Sequence, residues 1–168
     1  ALTPEEYRSA EESVLNAHFT QPVIIKSMYQ VLENMGFNKG RILEPSCGVG
    51  NFFGLVPQSM SNSTLYGVEL DTMSSKIAGY LYPEANIQNT GFERTNYPDG
   101  YFDIAVGNVP FGDYRVNDPV YNRHGFLIHD YFFVKTLDKL RPGGVAAFIT
   151  TKGTMDKENT KVRQYLFK

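Results

Sequence analysis

The fold is decided by the stretch Leu43-Glu44-Pro45-Ser46-Cys47-Gly48-Val49-Gly50-Asn51-Phe52-Phe53-Gly54. Apolar residues lead into it at Ile42 and Leu43, and an acidic residue stands where they end. Gly48 and Gly50 allow the backbone to bend sharply and to approach a ligand closely before a helix begins. The stretch therefore predicts a strand, a ligand-binding loop and a helix, in that order.

Two familiar phosphate-binding loops do not fit this stretch. A Walker loop needs Lys followed by Ser or Thr after its last glycine, where this chain has Asn51 and Phe52. A dinucleotide loop needs its third glycine at the position of Phe53, but the glycine falls at Gly54. Glu44 repels phosphate and attracts a cation such as a sulfonium or an ammonium. The loop indicates a nucleoside ligand whose bound end is not a pyrophosphate.

A second informative stretch is Asp103-Ile104-Ala105-Val106-Gly107-Asn108-Val109-Pro110-Phe111-Gly112. It reads as an apolar strand that ends in an amide side chain, a rigid proline and an aromatic ring. In this order and spacing, the two stretches resemble the amino-group DNA methyltransferases that act on adenine N6 or cytosine N4. That family has an acidic-Pro-x-x-Gly-x-Gly loop first and an Asn-Pro-Pro-Phe/Tyr loop later. Val109 replaces the first proline of the second loop.

Within that family the chain is most similar to the methyltransferase region of large, helicase-fused DNA methylases of mobile elements. The resemblance implies S-adenosylmethionine as cofactor and DNA as substrate, with methyl transfer most often to adenine N6. It implies the catalytic residues Asn108, Val109, Pro110 and Phe111. It implies a cofactor site made by Phe19, Thr20, Glu44, Pro45, Ser46, Cys47, Gly48, Gly50, Asn51, Glu69, Leu70, Gly91, Phe92 and Asn108.

Three of these positions carry alternatives or departures. Thr20 is expected at the methionine end of the cofactor, but its position before Pro22 also suits an N-cap. Glu69 ends the second predicted strand and is placed to bind ribose hydroxyls, unless it is a solvated strand-end carboxylate. Gly91 stands where the family commonly has an Asp that meets the adenine, while Phe92 keeps the aromatic residue.

Alternating strands and helices predict an α/β fold, a doubly wound, mostly parallel Rossmann-like sheet. We expect residues 1–36 to form an N-terminal helical segment on the cofactor site and residues 37–168 the methyltransferase core. The family's closing hairpin and target-recognition region are expected beyond residue 168. A helix before Gly36 is predicted to bury Ile24, Met28, Val31, Leu32 and Met35, and one capped by Asp71 to bury Met73, Ile77, Ala78 and Leu81. The apolar run Val145 to Thr151 predicts the fifth strand, and Asp156 to Phe167 the final helix.

Composition limits the function further. With 168 residues the chain can bury one substantial core, and its single cysteine, Cys47, allows no internal disulfide. The acidic N-terminal stretch resembles no signal peptide, so we expect a cytoplasmic protein without a membrane anchor. The net charge of -2 is unusual for a protein that binds a polyanion, so DNA is expected to be gripped largely outside this chain. The sequence does not predict the oligomeric state.

Two other functions stay open. One is an inactive cofactor-binding module of a larger DNA-processing protein, because Val109 and Gly91 depart from the family pattern. The other is an RNA or protein-glutamine methyltransferase, since these share the Asn-Pro-Pro-Phe/Tyr loop. A metal site at His124, His129 and Asp130 is weakly indicated, and a helix surface accounts better for those three residues, so no metal is predicted.

Overall fold

The computed structural model describes residues 20–152, 154 and 161–166. Within them the α-helices are α1 (Pro22–Asn34), α2 (Thr72–Leu81), α3 (Ile128–Lys139) and α4 (Lys161–Leu166). The helix predicted after the glycine loop is a short 3₁₀ helix, Phe53–Leu55. The strands are β1 (Arg41–Glu44), β2 (Thr64–Glu69), β3 (Asn86–Asn89), β4 (Phe102–Asn108) and β5 (Leu140–Ile149). Phe19 and the rest of the first 19 residues lie outside the described part. Residues 156–160 and 167 of the predicted final helix also lie outside it.

The five strands form one parallel sheet in the order β3-β2-β1-β4-β5. Consecutive residues of the central strand β1 point to opposite faces, so Ile42 and Leu43 enter two different hydrophobic clusters. Both side chains are fully buried. The sheet is therefore covered on both faces, and the predicted Rossmann-like fold is confirmed.

Helix α1 buries a different face from the predicted one. Its buried residues are Ile25, Tyr29 and Leu32, whereas Val31 and Met35 are 57% and 60% exposed. Apolar residues occupy two neighbouring stripes of this helix, so spacing alone could not decide which stripe packs inward. The Tyr29 hydroxyl donates a hydrogen bond to the Phe52 carbonyl oxygen at 3.1 Å, which fixes the observed face against the loop after β1.

Thr20 does not cap this helix. The helix begins at Pro22, and the residue in the capping position is Gln21, whose side chain makes no capping hydrogen bond. Proline has no backbone N–H, so a proline in the first turn leaves one fewer N–H group for a polar cap to pair. The N-cap interpretation of Thr20 was wrong, and this residue instead lines the main cavity.

Helix α2 is capped as predicted, because the Asp71 carboxylate accepts a hydrogen bond from the Ser74 N–H at 2.7 Å. Its buried face is narrower than expected. Ser75 and Ala78 are buried, but Ile77 and Leu81 are 39% and 59% exposed. The small buried side chains let the helix lie close to the sheet, so the larger ones fall beside the contact.

Helix α3 begins at Ile128, and its first turn is not a solvated surface. His129 and Asp130 are buried, with 7% and 2% exposure, so the helix-surface interpretation of these residues was wrong. Strand β5 starts at Leu140, earlier than expected, because Leu140 pairs with Phe102 before a register shift in the β4 partner strand. No helix among the described residues is long and apolar enough to cross a membrane.

Candidate active site

A cavity of about 520 Å³ lies at the carboxyl ends of β1, β2 and β4. The strand order reverses direction between β1 and β4, and the crevice at such a reversal is where parallel α/β sheets bind ligands. A volume in this range suits a nucleoside-sized molecule. The fold thus places one ligand cavity where the two informative sequence stretches meet.

Most of the predicted site residues line this cavity. They are Thr20, Glu44, Ser46, Cys47, Gly48, Asn51, Glu69, Asn108, Val109, Pro110 and Phe111. The cavity also takes in residues that the sequence did not single out as site residues, namely Val49, Phe52, Asp71, Ser74 and Tyr114. The two stretches that were far apart in sequence are therefore brought together on one wall.

The glycine loop is built by local backbone geometry. Gly48 and Gly50 have positive φ angles of 54° and 86°, which other residues adopt at a cost. A Cβ atom at Gly50 would also lie 2.5 Å from the Tyr82 ring, so this glycine makes room for a neighbouring side chain. The Ser46 hydroxyl donates a hydrogen bond to the Asn108 carbonyl oxygen at 3.1 Å. The loop and the end of β4 are thus joined directly.

Glu44 is the most deeply buried acidic group of the cavity. It is 2% exposed, and its Oε2 atom has no hydrogen-bond partner among the described residues. Burial, and secondly the charge of Glu69, raise the pKa of this carboxyl well above its ordinary value. Glu44 lines the cavity, and a cationic ligand beside it would favour the charged carboxylate, whose unpartnered oxygen could then accept a hydrogen bond and balance the ligand's charge.

Glu69 organises the other side of the cavity. Its Oε2 accepts a hydrogen bond from the Gly48 N–H and its Oε1 accepts one from the Asp71 N–H, each at 2.7 Å. Burial raises the pKa of this carboxyl, and the two backbone N–H groups counteract part of that rise. The alternative of a solvated strand-end carboxylate does not hold, because Glu69 ties the glycine loop to the start of α2.

The cavity is acidic and has no basic lining residue in the described part of the chain. Its wall includes Glu44, Glu69 and Asp71 but neither Lys nor Arg. Burial raises the pKa of the Cys47 thiol, as do the charges of the two glutamates, so this cysteine stays protonated and is no nucleophile. The electrostatics favour a cationic ligand and disfavour a phosphorylated one.

Asn108 ends β4 at the cavity wall, and the following residue is anchored in the core. Val109 is 1% exposed and its N–H donates a hydrogen bond to the Ile149 carbonyl oxygen at 3.2 Å. Its side chain belongs to the same hydrophobic cluster as Leu43. Val109 therefore compensates for the missing proline by packing and by pairing its N–H with β5, which fixes the backbone that follows.

Five expected cofactor residues in the described part of the chain do not line the cavity. Leu70 is 73% exposed, and the Phe92 ring is 2% exposed and packs on Phe132 with ring centres 5.1 Å apart. The prediction of a Phe92 ring facing the ligand was wrong, because this ring fills the core under α3. A Cβ atom at Gly91 would meet the carboxylate of Glu93, the movable end of a side chain, and nothing in the described structure explains the absence of the family's Asp there. Pro45 and Gly50 shape the loop without lining the cavity.

The loop that follows Phe111 is anchored by a buried ion pair. Asp118 accepts hydrogen bonds from the Val120 and Tyr121 N–H groups, the Tyr131 hydroxyl and the Lys135 ammonium, at 2.8 to 3.2 Å. Burial raises the pKa of this carboxyl, but the hydrogen bonds and the Lys135 charge outweigh it, so the net shift is downward. The Lys135 ammonium also donates to the Phe92 carbonyl oxygen at 2.7 Å. The loop is thus held to α3 and to the turn after β3.

Metal binding finds no support in the described residues. Across them, no group of three or more His, Cys, Asp and Glu side chains is arranged to hold an ion.

Comparison with known proteins supports the sequence resemblance. The chain is 30% identical over 152 residues to the "Defense against restriction protein B" of Escherichia phage P1, covering 88% of this chain and 7% of that protein. It is 26% identical over 136 residues to the "Modification methylase CviBIII" of Paramecium bursaria Chlorella virus NC1A, covering 78% of this chain and 36% of that one. The chain thus spans well under half of either relative.

The name of a third relative describes an enzyme that acts on RNA. The "rRNA N(6)-adenosine-methyltransferase metl-5" of Caenorhabditis elegans is 26% identical over 152 residues, covering 84% of this chain and 66% of that protein. No protein-family model matches the chain.

Solved structures agree on the fold. An S-adenosylmethionine-dependent methyltransferase described as putative, from Listeria monocytogenes, superposes with a TM-score of 0.76 at 18% identity, over 90% of this chain and 52% of that one. A type I restriction enzyme modification subunit, also described as putative, from Vibrio vulnificus gives 0.72 at 16% identity, over 98% and 42%. The chain has the Rossmann-like fold of the S-adenosylmethionine-dependent methyltransferases, and its predicted resemblance to DNA modification methylases is confirmed.

Proposed function

We propose that this chain is the catalytic region of an S-adenosylmethionine-dependent DNA methyltransferase that transfers a methyl group to an exocyclic amine, adenine N6. The observation that carries the proposal is one cavity with an acidic, phosphate-excluding end and the Asn108-Val109-Pro110-Phe111 segment on the same wall. The names of the phage and algal-virus relatives support DNA modification as the process.

The residues present fit the cofactor. Its ammonium and sulfonium groups are cations, and the cavity offers Glu44 with an unpartnered buried oxygen and no competing basic side chain in its described wall. Glu69, at the end of β2, supplies a carboxylate where nucleoside-binding folds hold ribose hydroxyls. When bound, the cofactor supplies an electrophilic methyl group.

The chemistry requires a weak nucleophile to be activated. The lone pair of an exocyclic amine is delocalised into the base, so both N–H bonds have to be held while the nitrogen becomes pyramidal. The Asn108 side-chain oxygen and the Val109 carbonyl oxygen are the two acceptors proposed for this role. Held by these two acceptors, the amine would accept the methyl group that a bound cofactor supplies and would release one proton to solvent.

Phe111 and the rigid Pro110 complete the proposed target end. Both line the cavity, and an aromatic face can stack on a base that has left the duplex. The net charge of -2 provides no general attraction to phosphates, so we propose that other parts of a larger protein grip the DNA.

Calorimetric titration tests the cofactor assignment. S-adenosylmethionine should bind, Glu69→Ala should abolish that binding, and NAD should bind far more weakly. Equal or tighter binding of NAD would refute the assignment.

Mass spectrometry of nucleosides tests the reaction. After incubation of the larger protein that contains this chain with DNA and cofactor, N6-methyladenine should accumulate, and Asn108→Ala should slow its formation by about 10²-fold or more while leaving cofactor affinity largely intact. Methylation at an undiminished rate by Asn108→Ala would show that this segment is not the active site.

RNA adenine methylation is the second candidate. The similarity to the worm protein, of which this chain covers 66%, favours it. Parallel reactions with single-stranded RNA and DNA of the same base sequence distinguish the two candidates. Methyl transfer to RNA alone would make RNA the substrate and would refute the DNA assignment.

A further inference from the structure

Tyr114 is an exposed aromatic residue on the wall of the active-site cavity. Its side chain is 52% exposed, and it lines the same cavity as Phe111, three residues earlier. Single exposed aromatic residues are common on protein surfaces, and Tyr80 on α2, which is 87% exposed, is one that lines no described cavity. What distinguishes Tyr114 is its place beside the proposed target end of the cavity.

The backbone holds Tyr114 in that place. Its carbonyl oxygen accepts a hydrogen bond at 2.9 Å from the N–H of Ile128, the first residue of α3. The next residue, Arg115, donates a hydrogen bond from its Nε to the Gly125 carbonyl oxygen at 2.6 Å. The segment that carries the ring is therefore fastened at Tyr114 to the start of α3 and at Arg115 to the loop that precedes this helix.

The ring itself is positioned by Gly112. A Cβ atom added there would lie 2.7 Å from two atoms of the Tyr114 ring, so the ring rests directly on the glycine backbone. Glycine is the residue that permits this approach next to Phe111. The loop thus presents two aromatic side chains to one cavity with a residue between them that has no side chain.

We propose that Tyr114 is a second stacking surface for the target base, in addition to Phe111. The inference rests on the proposed function, because it needs a nucleobase in the cavity. A base that has left its stack loses contacts on both faces, and one ring can restore only one of them. Tyrosine suits the second position, since its flat face stacks on any base and few rotatable bonds are fixed in doing so.

A fluorescence titration tests this role apart from methyl transfer. The probe is a short single strand of thymidines with one central 2-aminopurine, whose fluorescence falls when it stacks, in the presence of S-adenosylmethionine. Because 2-aminopurine has no 6-amino group, the titration involves no turnover at adenine N6. The wild-type protein should quench the probe, and Tyr114→Ala should bind it about 5- to 150-fold more weakly, as expected for one lost base–aromatic stack.

Two variants serve as matched controls. Tyr114→Phe keeps the ring and should bind the probe as the wild type does, and Tyr80→Ala removes an exposed tyrosine away from the cavity and should have no effect. Cofactor affinity, measured by calorimetry, should be the same in all variants.

The outcomes separate the inference from the proposed function. Probe affinity unchanged by Tyr114→Ala would overturn the inference and leave the proposed function standing. Weaker cofactor binding by Tyr114→Ala would overturn it as well, because the ring would then cover the cofactor. A wild-type protein that binds cofactor but does not quench the probe, even at low salt and at protein concentrations high enough for weak binding, would overturn the nucleobase target, and this inference with it.

Discussion

Replacing Asp118 with alanine would leave the Lys135 ammonium buried without its carboxylate. Lys135 is 1% exposed, and its Nζ lies 3.2 Å from Asp118 Oδ2. Burial lowers the pKa of Lys135 and the Asp118 charge raises it again, so the carboxylate is what keeps the ammonium ionised at this depth. The substitution therefore converts a satisfied buried pair into an isolated buried charge.

The expected cost is large for a single residue. Removing one member of a buried ion pair costs about 3–5 kcal/mol of unfolding free energy. The Tyr131 hydroxyl also loses its acceptor, and a buried donor left unpaired costs about 1–3 kcal/mol. The remaining bond from Lys135 to the Phe92 carbonyl oxygen, and loss of the lysine proton, relieve part of this. We expect a net loss of about 4 kcal/mol.

Urea unfolding followed by circular dichroism measures this loss, provided that the slope against urea stays unchanged. Asp113→Ala removes an exposed carboxylate from the same loop and should change stability by less than about 0.5 kcal/mol. Asp118→Ala combined with Lys135→Met removes the stranded charge and should recover about half of the loss or more. A cost below about 1 kcal/mol for Asp118→Ala, or no recovery in the double variant, would refute the assignment of this pair as the anchor of the loop.

Two further predictions concern the cavity. The pKa of Glu44 is higher in the folded than in the unfolded chain, so its contribution to stability is present at low pH and is lost as pH rises through the folded value. Glu44→Gln should therefore raise the thermal midpoint more at pH 8 than at pH 5, while weakening cofactor binding; an equal change at both pH values contradicts a neutral buried Glu44. Gly50→Ala places a Cβ atom on a residue with a φ of +86° and against the Tyr82 ring. It should lower the free energy of unfolding by at least about 1 kcal/mol and should also weaken cofactor binding. Gly79→Ala on α2, where an added Cβ touches nothing within 4 Å, should instead be neutral or stabilising, and similar effects of the two substitutions would disprove the loop geometry.

Sequence patterns predicted those parts of the molecule in which local chemistry and the fold agree. The apolar entry to the glycine loop predicted one strand, and the segment ending at Asn108 predicted another. Both strands lie where expected, because a short apolar run that ends at glycine or proline is typical of a strand buried in a parallel sheet. The Asp71 cap was predictable because it depends only on local sequence: the carboxylate accepts a hydrogen bond from Ser74, three residues later.

The errors arose where tertiary packing chose between equivalent local patterns. Helix α1 has apolar residues on two stripes, and only the Tyr29 contact to the loop after β1 selects the buried one. Phe92 was expected to face the ligand, but the sequence could not show that α3 would bring Phe132 against its ring. Tyr114 lies in a loop without periodicity, so its place at the cavity depends on contacts with α3 that no sequence pattern records.

The position of β1 in the sheet also governs when the cavity can exist during synthesis of the chain. Ile42 pairs with Leu65 on one side and with Ile104 on the other. The bond from Ser46 to Asn108 spans 62 residues, which take roughly 3 to 12 s to translate at 5–20 residues per second. Until β4 emerges, β1 has one unpaired edge and the glycine loop lacks the opposite wall of the cavity. A nascent chain therefore completes the site only several seconds after β1 has been synthesised.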